Sequence, residues 1–497
     1  MQTSSVPQAK SETKATDVAK VAGRGTIYIT IAKLWFMASG AIIYFILPRL
    51  MTKEQVGAYQ VVTGIVSIIN AVIVTGTYQT VSKYISQEEH KADSVKAKAL
   101  RLQVAVGGAL TLAFFLLAPV IANNLNDASL TGYLRLASLI PLSYSFYSVF
   151  TGYFNGQKKF MAQAALDMSY STLKFVLIVA LAWLGYGVAG GIAGFALAAG
   201  IVLLLSAIIA RGGARRGEVR ASDLFRFQAY LLLFTFVLNL LQKVDLILVK
   251  ALSSADSIAA SENAAYYGAA INVANITYQV IISVTFVIFP LVSQSTFADD
   301  RRQTKAYISN TLRYSLMIMA LLATLFSANA REVLQVVYPL DYQPASAALV
   351  FIAYGMLLFG MFQVITTIIS ASGRPAVSLG IAALTLATSA ALNYALIPSC
   401  GLAGAGLATT IAVFVGVIAG GGYLLARFGA LMPLWSFARI AFCAGLVYAA
   451  SLALALQSKM IILVQLAALS LVYFAALVFT KEIGRGDLEA IKKVFRK

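Results

Sequence analysis

The sequence predicts an all-α polytopic membrane protein of about 14 transmembrane helices, built as two pseudo-symmetric six-helix lobes plus two C-terminal helices. Three observations carry that prediction. The 497 residues are 60% hydrophobic and 12% charged, with a mean hydropathy of +0.81. The apolar residues fall in a row of stretches, each near the roughly 20 residues that span a bilayer core. The row also repeats itself weakly. Hydrocarbon offers no partner to a bare amide, so each stretch must close its own backbone bonds as a helix.

The pattern places spans at about 26–47, 56–79, 100–121, 131–153, 165–185, 188–210, 228–250, 265–289, 312–328, 347–371, 377–398, 402–426, 433–456 and 461–480. The domains expected from them are a disordered cytoplasmic tail (1–24), an N-lobe (25–217), a C-lobe (218–430), helices 13–14 (431–480) and a basic cytoplasmic tail (481–497). No cleavable signal pattern precedes the first span.

Charge sets the orientation. The segments before span 1 and after spans 2, 4, 6, 8, 10, 12 and 14 hold 28 of the 38 Lys and Arg, and the opposite set holds five. Basic loops stay on the cytoplasmic side. Both termini are therefore expected in the cytoplasm, and the chain in a bacterial or archaeal inner membrane. The same bias accounts for the net charge of +18. Its scatter over loops leaves no nucleic-acid footprint.

Composition also excludes chemistry. The one histidine, His90, sits in a charged loop, and Cys400 and Cys443 lack metal or redox spacing. Walker, Rossmann and zinc motifs are absent, and no loop is long enough for a soluble catalytic domain. The chain is expected to be a non-enzyme without a cofactor.

The repeat has a period near 200–217 residues. Leu47-Pro48-Arg49-Leu50-Met51-Thr52, followed by Gly57-Ala58-Tyr59-Gln60, is echoed by Leu248-Val249-Lys250-Ala251-Leu252-Ser253 and Ala265-Tyr266-Tyr267-Gly268. Phe150 through Gln157 has a fainter echo in Ile365 through Arg374, and Gly187-Val188-Ala189-Gly190 matches Gly401-Leu402-Ala403-Gly404. Spans 1 and 7 begin on the same side, so the repeat is parallel, the layout of an alternating-access transporter.

Polar residues inside spans mark what such a bundle encloses, because intramembrane charge costs at least about 2.5 kcal/mol. Thr26, Thr30, Lys33, Gly40 and Tyr44 share one face of span 1. Thr63, Ser67, Asn70 and Thr77 share a face of span 2, and Asn272, Asn275, Gln279 and Ser283 one of span 8. Span 7 clusters Thr235, Asn239, Gln242 and Lys243, with Asp245 about 200° from Lys243 on a continuous helix. Span 5 carries Gln163, Asp167, Tyr170, Ser171 and Lys174. Spans 1, 2, 7 and 8 correspond under the repeat, so their stripes are candidates for lining one wet cavity. Lys33, Lys174 and Lys243, with Arg24 and Arg49 at span mouths, would make it cationic and favour a phosphate or pyrophosphate. The alternative for Asn, Ser and Thr is glue between helices. For Arg24 and Arg49 it is membrane anchoring, and for Arg135 and Arg439 snorkelling.

These motifs also carry a family resemblance. The run Leu47 to Tyr59 resembles the first-loop pattern of polysaccharide flippases in the multidrug/oligosaccharidyl-lipid/polysaccharide exporter superfamily. Gly76 to Ile85, Thr151 to Gln157, Phe289 to Gln294 and Gly401 to Ala408 resemble their second-span end, fourth-span exit, eighth-span exit and twelfth-span start. The resemblance implies a two-lobed bundle with a V-shaped cavity. It implies transfer of a polyprenyl-pyrophosphate-linked oligosaccharide from the cytoplasmic to the outer leaflet, with Lys33 and Lys243 occupying the cationic positions. Implied partners are that lipid-linked glycan and membrane lipids, with a glycan polymerase and glycosyltransferases as candidates; the oligomeric state stays open, a monomer being the expectation. Coupling to Na⁺, H⁺ or membrane potential stays open. A lipid II flippase has the same fold, but its Arg-rich Leu-Pro-Asn first loop is missing here. Thr151 to Gly156 is nonetheless similar to a sporulation-type branch that includes lipid II carriers. A cation-coupled multidrug exporter wants buried carboxylates, and the spans hold only Asp167 and Asp245.

Overall fold

The computed structural model describes residues 8–211, 221–298, 300–454, 459–484 and 487. Among these residues the backbone is almost wholly helical and contains no strand. The chain divides into two compact units, Met1–Asn239 and Leu240–Lys497. The expected lobe boundary at 217/218 lies outside the described residues.

In the first unit, α1 (Gln8–Leu50) is longer than its apolar span. The tail expected to be disordered is helical from Gln8 on, because its Ala, Lys, Glu and Gln are good helix formers and Gly23 is the first glycine. Pro48 lies in the last turn of α1, and Thr52 restarts the chain as the N-cap of α2 (Lys53–Gln87). Thr52 Oγ1 accepts the Gln55 N–H and Gln55 Oε1 accepts the Thr52 N–H, both at 3.3 Å, a reciprocal cap. The first-loop motif is thus a helix stop and start separated by two residues.

The next helices are α3 (Ala92–Asn124), α4 (Leu130–Ala137) and α5 (Leu139–Gly156). Expected span 131–153 is divided between α4 and α5 at Ser138, whose hydroxyl donates back to the Arg135 carbonyl at 2.6 Å. Such back-bonding bends helices. In α5, Gly152 and Gly156 stand one turn apart. A Cβ on Gly152 would lie 2.8 Å from the Tyr78 carbonyl oxygen, and one on Gly156 2.7 Å from Ile85 Cβ. The pair lets α5 close onto α2 as small residues do between membrane helices.

A tight turn joins α6 (Phe160–Leu181) to α7 (Gly187–Ile209), and α8 (Ala221–Leu241) follows. Within this unit α1 packs on α6, α2 on α5, and α6 on α7.

The second unit begins where expected span 228–250 is interrupted. Gln242 and Lys243 form a turn before α9 (Val244–Leu252), so the wheel angle between Lys243 and Asp245 does not apply. Lys250, one of the five basic residues of the sparser loop set, is fully buried. Its Nζ donates to the Ser257 carbonyl at 2.9 Å and to Ser261 Oγ at 2.7 Å, tying α9 to α10 (Ser257–Phe297). After α11 (Arg301–Ala328), α12 (Ala330–Val337) and α13 (Ser346–Ala371) comes the 54-residue α14 (Pro375–Phe428), then α15 (Leu434–Ala453) and α16 (Lys459–Phe479). Here α9 packs on α14, α10 on α13, and α15 on α11. Under the repeat, α10–α13 corresponds to α2–α5 and α9–α14 to α1–α6, so the same helix pairs recur inside each unit.

Beyond α16, Glu482 is 1% exposed, held by Arg313 at 2.6 Å and Arg439 at 3.6 Å. Asp487 meets Arg313 at 3.2 Å and accepts from the Tyr314 hydroxyl.

Nine described helical stretches are long and apolar enough to cross a membrane. Two of them, 160–209 and 375–428, would measure about 75 and 81 Å if straight, more than twice a core of about 30 Å. Each contains two expected spans and bends between them. Expected spans 131–153, 228–250 and 265–289 fall on helices outside that set of nine. Large apolar chains such as Leu112, Leu116, Leu204 and Leu471 are more than half exposed. In water that patchwork is a liability; against lipid tails it is the matching surface.

The bends share one geometry. Gly187 has φ 52°, ψ −134° and Gly401 has φ 57°, ψ −136°, a region that only a residue without Cβ occupies readily. The sequence match between these two glycines is also a match of backbone conformation.

Candidate functional site

The first unit holds a cavity of about 320 Å³, within the usual size of a small-ligand site. Four helices supply its wall by helical spacing: Lys33 and Phe36 from α1, Tyr78 from α2, Tyr144, Tyr147 and Thr151 from α5, and Gln163, Asp167 and Tyr170 from α6. The Gly152–Gly156 contact of α5 with α2 fixes the floor, because Ser82 Oγ donates to Asn155 Oδ1 (2.7 Å) and Asn155 Nδ2 to Gln163 Oε1 (2.9 Å).

The tyrosines interlock. Tyr144 meets Tyr170 edge to face at 5.2 Å and Tyr147 at 5.9 Å, while Phe36 stacks on Tyr170 at 6.3 Å. Tyr147 Oη donates to Asp167 Oδ1 at 2.7 Å. Tyr170 Oη is buried with no hydrogen-bond partner among the described residues. Lys33 is exposed to the cavity side of α1, and its charge and that of Asp167 act on each other. Lys174, two turns along α6 from Asp167, sits over Phe36 (4.9 Å), Phe195 (5.2 Å) and Tyr170 (5.7 Å), an aromatic setting that favours a cation. A polar, hydroxyl-rich or anionic group meets here an ammonium, a carboxylate and ring faces together.

The second unit has a counterpart of different character. Asp245 is 2% exposed. It accepts the Leu246 N–H at 2.8 Å, the Tyr267 hydroxyl at 2.9 Å and the Thr409 hydroxyl at 3.3 Å. Asn393 Nδ2 reaches Thr409 Oγ1 at 3.5 Å, while Asn393 Oδ1 is buried without a partner among the described residues. Lys243 is half-buried at the start of α9, and its charge acts on Asp245. No group of three or more His, Cys, Asp or Glu exists among the described residues to hold a metal ion. One carboxylate among neutral oxygens suits a weakly held hard cation better than a transition metal.

The structure thus brings Lys33 and Asp167 to one cavity, with Lys174 outside its lining but over two of the rings that form it, and Gln242, Lys243 and Asp245 close together at the start of α9. Arg49 is not at the cavity: it lies about 24 Å along α1 from Lys33 and donates to its own helix at the Phe45 carbonyl. The side chain of Arg24 lies outside the described residues. Much of the polar striping is glue. Thr63 and Ser67 bond back to the Tyr59 and Gly64 carbonyls, Asn239 to the Thr235 carbonyl, and Asn272 reaches Tyr338 Oη. Asn70 keeps a buried Oδ1 with no partner among the described residues, and Asn275 and Gln279 are half-buried on α10. Sequence reasoning missed the wall formed by Tyr78, Tyr144 and Tyr147, and missed Tyr267, Thr409 and Asn393. The Tyr144–Tyr147–Thr151 spacing was the signal available for the first group.

Among solved structures, the chain resembles the lipid II flippase MurJ in an inward closed conformation, with TM-score 0.76 and 15% identity over 92% of this chain and 100% of that one. It also resembles an inward-facing multidrug resistance MATE family transporter of the MOP superfamily, with TM-score 0.64 and 14% identity over 80% of this chain and 94% of that one. A MOP superfamily transporter from Pyrococcus furiosus, described as having a binding pocket of reverse polarity, gives TM-score 0.60 and 15% identity over 82% and 95%. At these identities the likeness carries the fold. A search of the curated proteins found no match. The family model described as polysaccharide biosynthesis protein matches residues 46–347, more than half of the chain. With its apolar helices and that fold, the chain is a multi-pass membrane protein, and it belongs to the polysaccharide biosynthesis protein family.

Proposed function

We propose that this protein is a flippase that moves a polyprenyl-pyrophosphate-linked oligosaccharide from the cytoplasmic to the outer leaflet by alternating access, for surface polysaccharide synthesis. The observation that carries this reading is the Lys33–Asp167 cavity. It joins an ammonium able to meet a phosphate to a tyrosine wall that a sugar ring can pack on. Family membership and fold support it. The basic-loop bias supports an inner-membrane chain with cytoplasmic termini.

Lys33 would attract the pyrophosphate region, and Asp167 would hold Lys33 or a sugar hydroxyl in turn. Lys174, over its three rings, would add positive potential. Arg24 and the Asn70, Asn275 and Gln279 side chains are proposed as further polar contacts along the path. Lys243 and Asp245 would serve coupling. Asp245 with Thr409 and Asn393 offers oxygens that fit Na⁺, and the carboxylate alone fits H⁺. The membrane potential would assist export of an anionic headgroup if positive outside, by about 2.3 kcal/mol per charge per 100 mV.

A deletion strain tests the reading, scored for surface glycan and for lipid-linked precursor in the cytoplasmic leaflet. Loss of one surface polysaccharide with accumulated precursor, restored by the wild type but not by Lys33→Ala or Asp167→Asn, is expected. Rescue by both variants would remove the cavity from the mechanism. Lysis with trapped cell-wall precursor would make lipid II the cargo, a reading favoured by the likeness over the whole of the MurJ chain. Intact glycan with new drug sensitivity would move the function to cation-coupled multidrug export.

A further inference from the structure

We infer that Lys174 is a second anion-binding site, for a phosphate group, set apart from the Lys33–Asp167 cavity by the Phe36–Tyr170 ring pair. It rests on the flippase reading for the source of that group, the pyrophosphate of the cargo, and goes beyond it by giving the headgroup a further station. Lys174 stands on the Asp167 face of α6, seven residues and about 10 Å further along the helix. It does not line the cavity, yet Phe36 and Tyr170, over which it sits, both do.

A cation inside a span is costly unless it is matched or wet. Lys250 meets that demand with a carbonyl and a hydroxyl oxygen, and Lys33 with the charge of Asp167. Among the described residues Lys174 has ring faces alone, at 4.9, 5.2 and 5.7 Å. The expected spans hold only two carboxylates, and neither pairs with it. Asp167 takes the Tyr147 hydroxyl, and Asp245 belongs to the second unit. Ring faces attract an ammonium but offer its three donors no oxygen. A phosphate supplies both the missing charge and the missing acceptors.

Tyr170 adds an independent sign. It is 3% exposed, and its hydroxyl has no partner among the described residues. A hydroxyl beside an ammonium is a donor pair that phosphate takes. One turn beyond Phe36 on α1, a Cβ on Gly40 would meet nothing within 4 Å, which leaves room there. Trp35 Nε1 donates to Thr172 Oγ1 at 2.9 Å and holds α1 against α6 at this level, while Phe36 stacks on Tyr170 at 6.3 Å. With cytoplasmic termini, α1 and α6 both run outward, so a headgroup coming from the cytoplasm would meet Lys33 first, the ring pair next and Lys174 last.

The test uses the full chain purified in detergent. Inorganic pyrophosphate, geranyl pyrophosphate and geraniol are each titrated by calorimetry against the wild type, Lys174→Met, Lys174→Gln, Lys33→Gln, and Arg331→Gln as a remote control. The wild type and Arg331→Gln are expected to bind one equivalent of a pyrophosphate at each ammonium. Both Lys174 variants should lose one equivalent and keep the other, as should Lys33→Gln, and geraniol should not bind. Filling of both places by inorganic pyrophosphate identifies the phosphates alone as the ligand. Filling by geranyl pyrophosphate without it identifies a prenyl-linked group. Lys174 variants that bind as the wild type does overturn the proposal and leave the Lys33 cavity standing. Loss of an equivalent in them but not in Lys33→Gln keeps this site and removes that cavity from the flippase reading. No pyrophosphate binding to the wild type, or equal binding of geraniol, overturns both. Thermal unfolding of each variant separates loss of the site from loss of the fold, and Lys174→Met, which keeps the volume without the charge, is expected to unfold no lower than the wild type.

Discussion

Asp167 and Asp245 are the two carboxylates inside the expected spans, each with a lysine acting on it, and their surroundings differ. Asp167 accepts one tyrosine hydroxyl and opens on a cavity beside an exposed Lys33. Asp245 is closed in, with three hydrogen bonds and an asparagine oxygen left unmatched nearby. A charge pair facing an opening can exchange its partner for a ligand without leaving a buried group bare. A sealed carboxylate cannot, unless a cation or proton replaces what is lost. The two carboxylates stand on expected spans 5 and 7, which the repeat does not pair, so the helices packed around each, and not descent from one ancestral position, account for their different surroundings.

The largest effect separates the two directly. Asp245→Ala strands the Tyr267 and Thr409 hydroxyls in a dry site and should cost about 3 kcal/mol. Asp167→Ala, at the cavity, should cost about 1 kcal/mol or less. Thermal unfolding of both variants in detergent reads the difference, and equal losses would break the comparison.

A middle-sized effect tests whether the helix contact beneath the first cavity is more rigid than a glycine contact of α13 with α11 in the second unit. A Cβ on Gly152 meets backbone at 2.8 Å, whereas one on Gly360 meets Met319 Sδ, the far part of a flexible side chain. Gly152→Ala should cost about 1–3 kcal/mol and Gly360→Ala less than about 1 kcal/mol. Denaturation midpoints in the reverse order would mean that α2 and α5 can part.

The smallest effect lies outside the spans. Burial pushes the Asp487 carboxyl up, but hydrogen bonds from Tyr314, the Gly484 N–H and Arg313 outweigh it and hold the group below the usual range. A carboxyl depressed in the folded state adds stability above its unfolded value, about 4, and loses it as pH falls through the folded one. Asp487→Asn should cost less than about 1 kcal/mol at pH 7, and the gap from wild type should close below about pH 4. A gap independent of pH would show that the carboxylate charge does not hold this segment.

The fold was legible because lipid imposes a simple rule on every span, and Leu47–Thr52 or Gly187 and Gly401 read as punctuation. The interruption at Gln242–Lys243 was not legible, since neither residue is a helix breaker and the turn answers to packing around Asp245. Lys33, Asp167 and Lys174 were visible as charges out of place in apolar stretches. The tyrosine wall was hidden because a tyrosine at helical spacing reads as core. Thr409 was hidden because its partner Asp245 is 164 residues away in sequence, and Asn393 because it reaches that carboxylate only by way of Thr409.

The matching bends at Gly187 and Gly401 make each hairpin insensitive to its own arms. A corner whose angle is set by an achiral residue needs no particular neighbour to hold it. Side chains on either arm can differ between the halves, while a Cβ at the corner itself would strain the backbone. The two hairpins therefore keep one shape with few residues in common.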